Sequence, residues 1–569
     1  MAADATPTPK LSPVEGFKEQ SNYLRGSLGE ELAGPEDHLS DAAKNLLKFH
    51  GSYQQEDRDA RKNRAKTGVT KAYMFMVRLK LPGGRLTADQ YIALDEIAGR
   101  HANGTLRFTT RQSIQFHGIL KTNLKQTIAD INAALVSTLG ACGDVNRNVV
   151  ACPAPLGDPV RKQMNELADR VAAHLAPKAG GQAYHEIWLN GEKVSPDGDP
   201  AVAEPIYGKV YLPRKFKTAF ALPHDNCTDV LANCLGFLAV AENGHPVGYD
   251  MYVGGGQGMT HGKKETFPYL AKAVAFVSPE EVVSAAEAVV KLFRDHGNRA
   301  DRKRARLKYL MADWGVEKFR DVFAKSYFQK TLLAPRGLPI TGLDLHHGWH
   351  PQGNGKWFLG LSVENGRVKD EGAFRLRTGL RTIVSKYRCA VRITPQQDVL
   401  VCDVAVADKA GVDSLLNEHG IPRPENLSLV RKWGMACPAI PTCPLALTES
   451  ERVLPEIIDH LETTLAGLDL AGEPISVRMT GCPNGCARPY QSEIGLVGRS
   501  GEKFTVFIGG DSFGRRMNVE LKDLVPKGEI VPLLGKVFAA FKAGRAGTES
   551  FGDFCDRVGI ETLRGLVHG

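Results

Sequence analysis

The 569-residue sequence has no run of eighteen apolar residues, so it holds nothing long enough to cross a bilayer as a helix. The stretch Met1 to Lys10 is polar and lacks the apolar core of a secretory leader, so a cytoplasmic location is expected. The eleven cysteines are odd in number and scattered through a long chain. That argues against a disulfide framework and for metal or catalytic use in a reducing compartment. There is no G-x-G-x-x-G fingerprint and no P-loop, so no nucleotide is inferred. For Val253-Gly254-Gly255-Gly256-Gln257-Gly258, and for Gly509-Gly510, close backbone approach to a flat cofactor is the alternative to phosphate binding. No Lys/Arg-rich segment interleaved with aromatics appears. The net charge of +8 therefore suits an acidic protein or a polyanionic ligand, and neither nucleic acid nor membrane is expected among the partners.

What is present is the composition of an ordinary globular protein, 43% hydrophobic and 24% charged. A chain of this length outgrows one core, and roughly two to four domains follow.

Two cysteine pairs carry the chemistry. Met435-Ala436-Cys437-Pro-Ala-Ile-Pro-Thr-Cys443 is C-x5-C, and Thr480-Gly481-Cys482-Pro-Asn484-Gly-Cys486 is C-x3-C. Four thiols in two close pairs can hold one soft metal centre. Structural zinc sites favour cysteines two to four residues apart, so the wider spacing argues for an iron–sulfur cluster. Burial of four unrelated core thiols is the plainer alternative. Cys142, Cys152, Cys227, Cys234, Cys389, Cys402 and Cys555 show no pairing pattern. The seven-residue spacing of Cys227 and Cys234 reads as one face of a helix packed in the core.

A long-range repeat organises the chain. Phe75 to Leu86, a helical stretch and Thr105 to Gly118 match Leu359 to Val368, another helical stretch and Ala390 to Val401. Each copy is a strand, a Gly turn, a strand start, a helix, and an alternating strand carrying Arg-x-Thr and a Gln. Asn146-Arg147-Asn148-Val-Val-Ala-Cys152-Pro-Ala-Pro155 then matches Lys432-Trp-Gly-Met-Ala-Cys437-Pro-Ala-Ile-Pro441. Duplication with one copy specialised predicts a pseudo-twofold molecule with a site between its halves. Ser278-Pro279-Glu-Glu281 reads as the capped start of a helix burying Val282, Val283, Ala286, Val289, Val290 and Phe293. Residues 1 to about 20, rich in Pro and Ala, are expected to be disordered.

Basic residues gather beside these motifs. Arg78, Arg107, Arg111 and Arg147 accompany the first copy, and Leu212-Pro-Arg214-Lys215-Phe-Lys217 puts Lys215 and Lys217 on one face of an extended segment. Cations turned inward are costly unless they meet anions, so the set points to a ligand with many negative charges.

Taken together these residues resemble the sulfite reductase hemoprotein family, within the siroheme-containing sulfite and nitrite reductases. The likeness covers nearly the whole chain. It includes Ser21 to Gly26, Phe49 to Gln55, Arg107 to Gln112, Asn146-Arg147-Asn148, Leu212 to Lys217, Gly254 to Gly256, Gly297 to Lys303 and the Thr-Gly-Cys-Pro-Asn-Gly-Cys signature. The resemblance implies an α+β fold, a pseudo-twofold duplicated sulfite/nitrite reductase architecture. Its parts are an N-terminal arm (1–60), ferredoxin-like half-domains (61–140 and 336–407), a siroheme/substrate lobe (141–335) and a [4Fe-4S]/siroheme lobe (408–569).

It further implies a siroheme coupled to a [4Fe-4S] cluster. Cys437, Cys443, Cys482 and Cys486 would ligate the cluster, with Cys486 bridging to the siroheme iron. Arg78, Arg147, Lys215 and Lys217 would line the catalytic face, while Arg107, Arg111, Gln115, His117 and Asn484 would belong to the siroheme and its surroundings. The implied reaction is assimilatory six-electron reduction of sulfite to sulfide, serving cysteine biosynthesis. Siroheme nitrite reductases are the nearest alternative; they tend to replace the second lysine of the Lys215-Phe-Lys217 segment, which favours sulfite here. No flavin or NADPH domain is recognisable, so electrons come from a separate protein, an NADPH-dependent flavoprotein subunit or a ferredoxin. A zinc-stabilised nucleic-acid-binding protein is the alternative from another class, and the colour of the purified protein separates the two.

Overall fold

The computed structural model describes residues 10–61, 71–178, 187–189, 192–194 and 204–568. Two five-stranded sheets stand at its centre. One runs Ser52–Glu56, Tyr73–Arg78, Ile114–Ile119, Leu106–Phe108 and then Arg367–Val368; the other runs Gly348–Pro351, Lys356–Leu361, Val399–Ala405, Ala390–Ile393 and then Arg85–Leu86. The short strand after each Gly turn thus leaves its own sheet and completes the other one. Arg367 pairs opposite Arg107 in the first sheet, and Arg85 opposite Arg392 in the second.

Glycine makes this exchange possible. Gly84 (φ 71°) and Gly366 (φ 73°) adopt the left-handed backbone. A Cβ on Gly84 would lie 2.4 Å from the Ile393 carbonyl oxygen, and one on Gly366 would lie 2.5 Å from that of Phe108. The helices that follow are amphipathic. Ala88–His101 is opened by a reciprocal Thr87–Gln90 capping box, and it packs against Leu376–Tyr387 of the other half. There Asp95 receives Arg377 Nε at 2.6 Å and Arg381 Nη1 at 2.8 Å.

The larger lobes repeat the same plan. In the second, Gly434–Ala436, Val477–Thr480 and Ile494–Ser500 run parallel, followed by antiparallel Lys503–Ile508 and Val519–Pro526. In the first, residues 146 and 150 form parallel bridges to Phe216 and Ala219, Thr218–Ala221 runs parallel to Leu235–Glu242, and His245–Val253 and Lys272–Val277 are antiparallel. One hydrophobic core joins the first lobe to both central sheets, and a second core fills the other lobe around Leu461, Val477, Leu534 and Phe541. The fold is α+β and visibly duplicated.

Three local expectations are corrected. Residues 1–9 lie outside the described residues, but Pro13–Glu19 is a helix. Lys18 fixes it from the inside, donating to the Leu212 carbonyl oxygen at 2.9 Å and pairing with Glu15 at 2.6 Å, so tertiary burial overrides the Pro-rich composition. The helix expected from Ser278 begins at Val282. Ser278 and Glu281 close a preceding turn instead, with the Glu281 carboxylate accepting from the Ser278 N–H at 3.2 Å. Cys227 and Cys234 are not on a helix; only the short turn Val230–Ala232 lies between them.

Candidate functional site

The parallel strands Gly434–Ala436 and Val477–Thr480 end side by side and deliver Cys437 and Cys482 to the same edge of the sheet. Cys443 and Cys486 follow on the two loops. Gly481 is required by packing: a Cβ there would lie 2.6 Å from Ala439 Cβ and from the Thr448 carbonyl oxygen. Its N–H points at Cys437 Sγ (3.4 Å), and Asn484 Nδ2 points at Cys482 Sγ (3.4 Å). Met435, Ala439, Ala446 and Ala487 make an apolar nest around Cys437 and Cys443, while Cys486 is exposed.

Burial, and then the neighbouring Cys486, raise the Cys437 and Cys443 thiols and push Cys482 up to about 12. The four cysteines therefore form one electrostatic group.

The loops are braced from elsewhere in the chain. Arg58 Nη1 donates to the carbonyl oxygens of Cys443 (3.1 Å) and Ala446 (2.5 Å). Arg107 is wholly buried, its Nη2 donating to the Ala436 carbonyl at 2.8 Å and its Nε to Glu451 at 2.9 Å. Gln397 Nε2 donates to the same Ala436 oxygen at 3.0 Å. Thr110 Oγ1 donates to the Cys486 carbonyl at 3.1 Å, and Arg488 returns the contact by donating to the Thr110 carbonyl at 3.2 Å. The glycine run docks here as well, with the Met259 N–H donating to Pro483 O at 2.9 Å, and a Cβ on Gly258 would lie 2.9 Å from Asn484 O. The sequence does not assign Arg58, Glu451 or Arg488 to the site, and Gln397 enters it only as the glutamine of the repeated Arg-x-Thr strand.

A cationic surface faces Cys486. Arg78 closes the strand Tyr73–Arg78 opposite Gln115. Its Nη1 reaches Cys142 Sγ at 3.1 Å, and the Gln115 amide, oriented with its oxygen toward Arg78, accepts from Nε at 3.0 Å. Burial disfavours the Arg78 charge, but Cys142, Tyr53 and Cys486 hold it on. Lys215 and Lys217 flank buried Phe216 and emerge together on the other side. Burial and then Arg306 and Arg214 bring Lys215 down to about 7. Burial, Arg111 and Lys215 depress Lys217 well below an ordinary lysine, and Cys486 pulls both lysines back up.

Arg147 adjoins this surface, close enough to act on Lys215, with Nε donating to Gly143 O at 2.7 Å and Nη1 to Ala141 O at 3.3 Å. Arg111 spends its Nη groups on Asn233 Oδ1 (2.5 Å), Asn148 O and Thr218 O (3.0 Å), but its buried Nε has no partner among the described residues. Arg306 Nε and both polar atoms of the Gln257 amide are orphaned in the same way. Arg214, Lys215, Arg302, Lys303, Arg306 and Asn484 line a cavity of about 160 Å³. His117 has its Nδ1 3.2 Å from Arg367 Nη1; burial, then Arg367, and more weakly Arg107 and Arg78, push it well below an ordinary histidine. A larger groove of about 470 Å³ between Leu454–Gly467 and Ile530–Gly544 contains none of these groups.

The model of the "Nitrite and sulphite reductase 4Fe-4S domain" matches residues 170–332 and 433–569, and that of the "Nitrite/Sulfite reductase ferredoxin-like half domain" matches 69–134 and 350–419. The chain belongs to the nitrite and sulphite reductase family.

Within that family it is 44% identical to "Sulfite reductase [ferredoxin]" of Synechococcus elongatus over 99% of this chain and 92% of the relative. It is 43% identical to "Sulfite reductase [NADPH] hemoprotein beta-component" of Staphylococcus saprophyticus, covering 97% of this chain and 96% of the relative. The solved structure of Mycobacterium tuberculosis NirA protein superposes with a TM-score of 0.80 at 26% identity, covering 98% of each chain. The chain is thus an oxidoreductase, and siroheme and a [4Fe-4S] cluster are the family's cofactors. The residues present fit both. The four-cysteine site, with its apolar nest around Cys437 and Cys443, suits a cluster, and the cationic cleft with the unpaired polar atoms of Arg111, Arg306 and Gln257 suits a polycarboxylate macrocycle and an anionic substrate. Among the described residues no helix is long and apolar enough to cross a membrane.

Proposed function

We propose that the chain reduces sulfite to sulfide in a six-electron reaction with electrons from a separate donor protein, and that Cys437, Cys443, Cys482 and Cys486 hold the cluster, with Cys486 shared with the siroheme. One observation carries this reading: the cavity lined by Arg214, Lys215 and Arg306 is also lined by Asn484, from the loop between Cys482 and Cys486, so the basic surface and the cysteine loop meet there. When bound, the cluster and siroheme would relay electrons from the donor protein and provide the iron that takes up the substrate.

The protein's own part is electrostatic and protonic. Arg78 and Arg147 cannot release protons at neutral pH, so they hold substrate oxygens. Lys215, brought to about 7 by burial and by Arg306 and Arg214, is poised to donate a proton as each sulfur–oxygen bond breaks. Lys217 shares that task. An arriving anion raises both lysines and so charges them when substrate is present. Arg111, Gln115 and Asn484 surround the cofactor space. Arg107 and His117 act behind it, Arg107 by fixing the peptide before Cys437.

Sulfite is favoured over nitrite because both lysines of the Lys215-Phe-Lys217 segment are present. The donor would present an acidic face to this +8 chain; relatives carry either a ferredoxin or an NADPH designation in their names. The test is the purified full-length protein. It should show a Soret-like band, iron with labile sulfide, and sulfide production from sulfite with reduced ferredoxin or an NADPH–flavoprotein. Colourless protein carrying one zinc at the four cysteines would end the proposal.

A further inference from the structure

The duplication relates Cys437 to a second cysteine, Cys152. Both stand in Ala-Cys-Pro-Ala, just past the outermost parallel connection of their lobe. The alanine before each is held by the matching glutamine: Ala436 O accepts from Gln397 Nε2 at 3.0 Å, and Ala151 N donates to Gln112 Oε1 at 2.9 Å. The arginines cross between the halves, Arg107 reaching Ala436 O at 2.8 Å and Arg392 Nη1 reaching Pro153 O at 3.0 Å. The next strand of each lobe also ends in potential ligands, Val477–Thr480 in Cys482 and Cys486, Thr218–Ala221 in Asp225 and Cys227. The first lobe therefore holds, at the place corresponding to the four-cysteine nest, a different donor set.

That set is compact. Cys152, Asp225, Cys227 and, from the segment joining the halves, His346 bring one ligand atom each to within 4.8 Å of the others, and all four are buried. Cys152 Sγ lies 2.9 Å from Asp225 Oδ2 and 3.7 Å from His346 Nε2, which lies 3.2 Å from Asp225 Oδ2. A tetrahedral zinc with sulfur at ~2.3 Å and nitrogen or oxygen at ~2.1 Å sets its ligand atoms roughly 3.3–3.8 Å apart. Of these spacings 3.7 Å falls within that range and 3.2 and 2.9 Å lie just below it, while those to Cys227 stay under 4.8 Å.

We propose that Cys152, Asp225, Cys227 and His346 form a structural zinc site, separate from the redox cofactors. Two thiolates, one carboxylate, one neutral imidazole and no open position make a closed, structural site rather than a catalytic one.

The surroundings are those of a metal's outer shell. His346 Nδ1 faces Asp344 Oδ2 at 3.4 Å, which directs Nε2 inward. Asp225 Oδ1 accepts from the N–H groups of Cys227 (3.3 Å) and Asp344 (3.2 Å), leaving Oδ2 for the ion. Arg161 Nη2, 3.8 Å from Oδ2, offsets the single negative charge the site would keep. His346 is held in the left-handed backbone region (φ 59°) with its N–H donating to Asp344 Oδ1 at 2.7 Å, a strained placement that turns its ring toward the cysteines. A metal there would pin the segment joining the halves to the first lobe.

The test uses the full-length enzyme with its cofactors, from cells grown with zinc. Elemental analysis should give one zinc per chain, and zinc K-edge absorption fine structure should show two sulfurs at ~2.3 Å and two lighter ligands at ~2.0–2.2 Å. The double variant C227S/H346Q should lose zinc by about tenfold or more with iron content unchanged. Four results would overturn the proposal: wild-type zinc below about a tenth of an equivalent, a zinc shell without sulfur, zinc retained by the double variant, or a Cys152–Cys227 disulfide in the native protein by mass spectrometry after thiol alkylation. The absorption measurement on the wild type decides the matter even if the variant fails to fold.

Discussion

Arg107 and Arg367 face each other directly across the strand pair that joins the two halves, and one carboxylate holds both. Glu451 accepts from Arg107 Nε at 2.9 Å and from Arg367 Nε at 2.7 Å, and Arg107 passes the constraint on to the peptide before Cys437. A like-charge pair at the centre of the molecule is thereby turned into a brace for the cysteine loop.

Glu451 should therefore matter for stability in a pH-dependent way. Burial alone would raise its carboxyl, but Arg367 and Arg107 bring it down to about 2. A folded-state pKa below the unfolded one stabilises fully above about pH 4.5, and that stabilisation is lost as pH falls toward 2. Glu451→Ala should cost about 3 kcal/mol or more at pH 7, because it leaves buried Arg107 unpaired. Thermal inactivation half-lives of variant and wild type should draw together as pH falls below about 4.5 and meet only near 2; a constant gap across pH would show that the charge is not the cause.

Lys217→Asn should separate the two candidate substrates. A cation paired with the dianionic substrate and supplying protons is worth about a hundredfold in rate, so sulfite turnover should fall by that order and nitrite turnover by much less. Equal losses would remove the reason for preferring sulfite.

Arg58→Ala should loosen the C-x5-C loop, since Arg58 holds the carbonyls of both Cys443 and Ala446. Charge-assisted bonds of this kind are worth about 1.5–3 kcal/mol each. The purified variant should carry substoichiometric iron and labile sulfide, partly restored in Arg58→Lys. Full iron content in the alanine variant would argue against the brace.

Gly258→Ala tests how the first lobe seats on the Cys482–Cys486 loop. The new methyl would sit 2.9 Å from the Asn484 carbonyl oxygen, a backbone atom that can yield only by moving the loop. Reduced Soret absorbance per chain is expected while the secondary structure measured by circular dichroism is kept. Unchanged pigment would mean the two loops are less tightly coupled than their packing indicates.

The sequence carried the duplication because its signals are local: Gly turns, an Arg-x-Thr strand and Ala-Cys-Pro recur in order. The reciprocal pairing of Arg85–Leu86 and Arg367–Val368 was not legible, since a strand of two residues has no periodicity to read. Arg107 and His117 were placed near the cofactor by the family resemblance alone, since strand alternation tells which side a residue takes but not what it meets there. The structure spends Arg107 on Glu451 and His117 on Arg367. The helix Pro13–Glu19 was hidden because its anchor, Lys18 inside the protein, exists only once Leu212 and Asp144 are brought to it. Cys227 looked like core packing because its neighbours at Cys152 and His346 are distant in the chain.

The traded strands also bear on how the protein is made. During synthesis the first central sheet is missing its outer edge until residues 367–368 emerge from the ribosome, although its other four strands end at Ile119. The early chain must carry that open border for some 250 residues. Two separately produced halves, cut between residues 336 and 347, should accordingly be poorly soluble alone and recover only when expressed together.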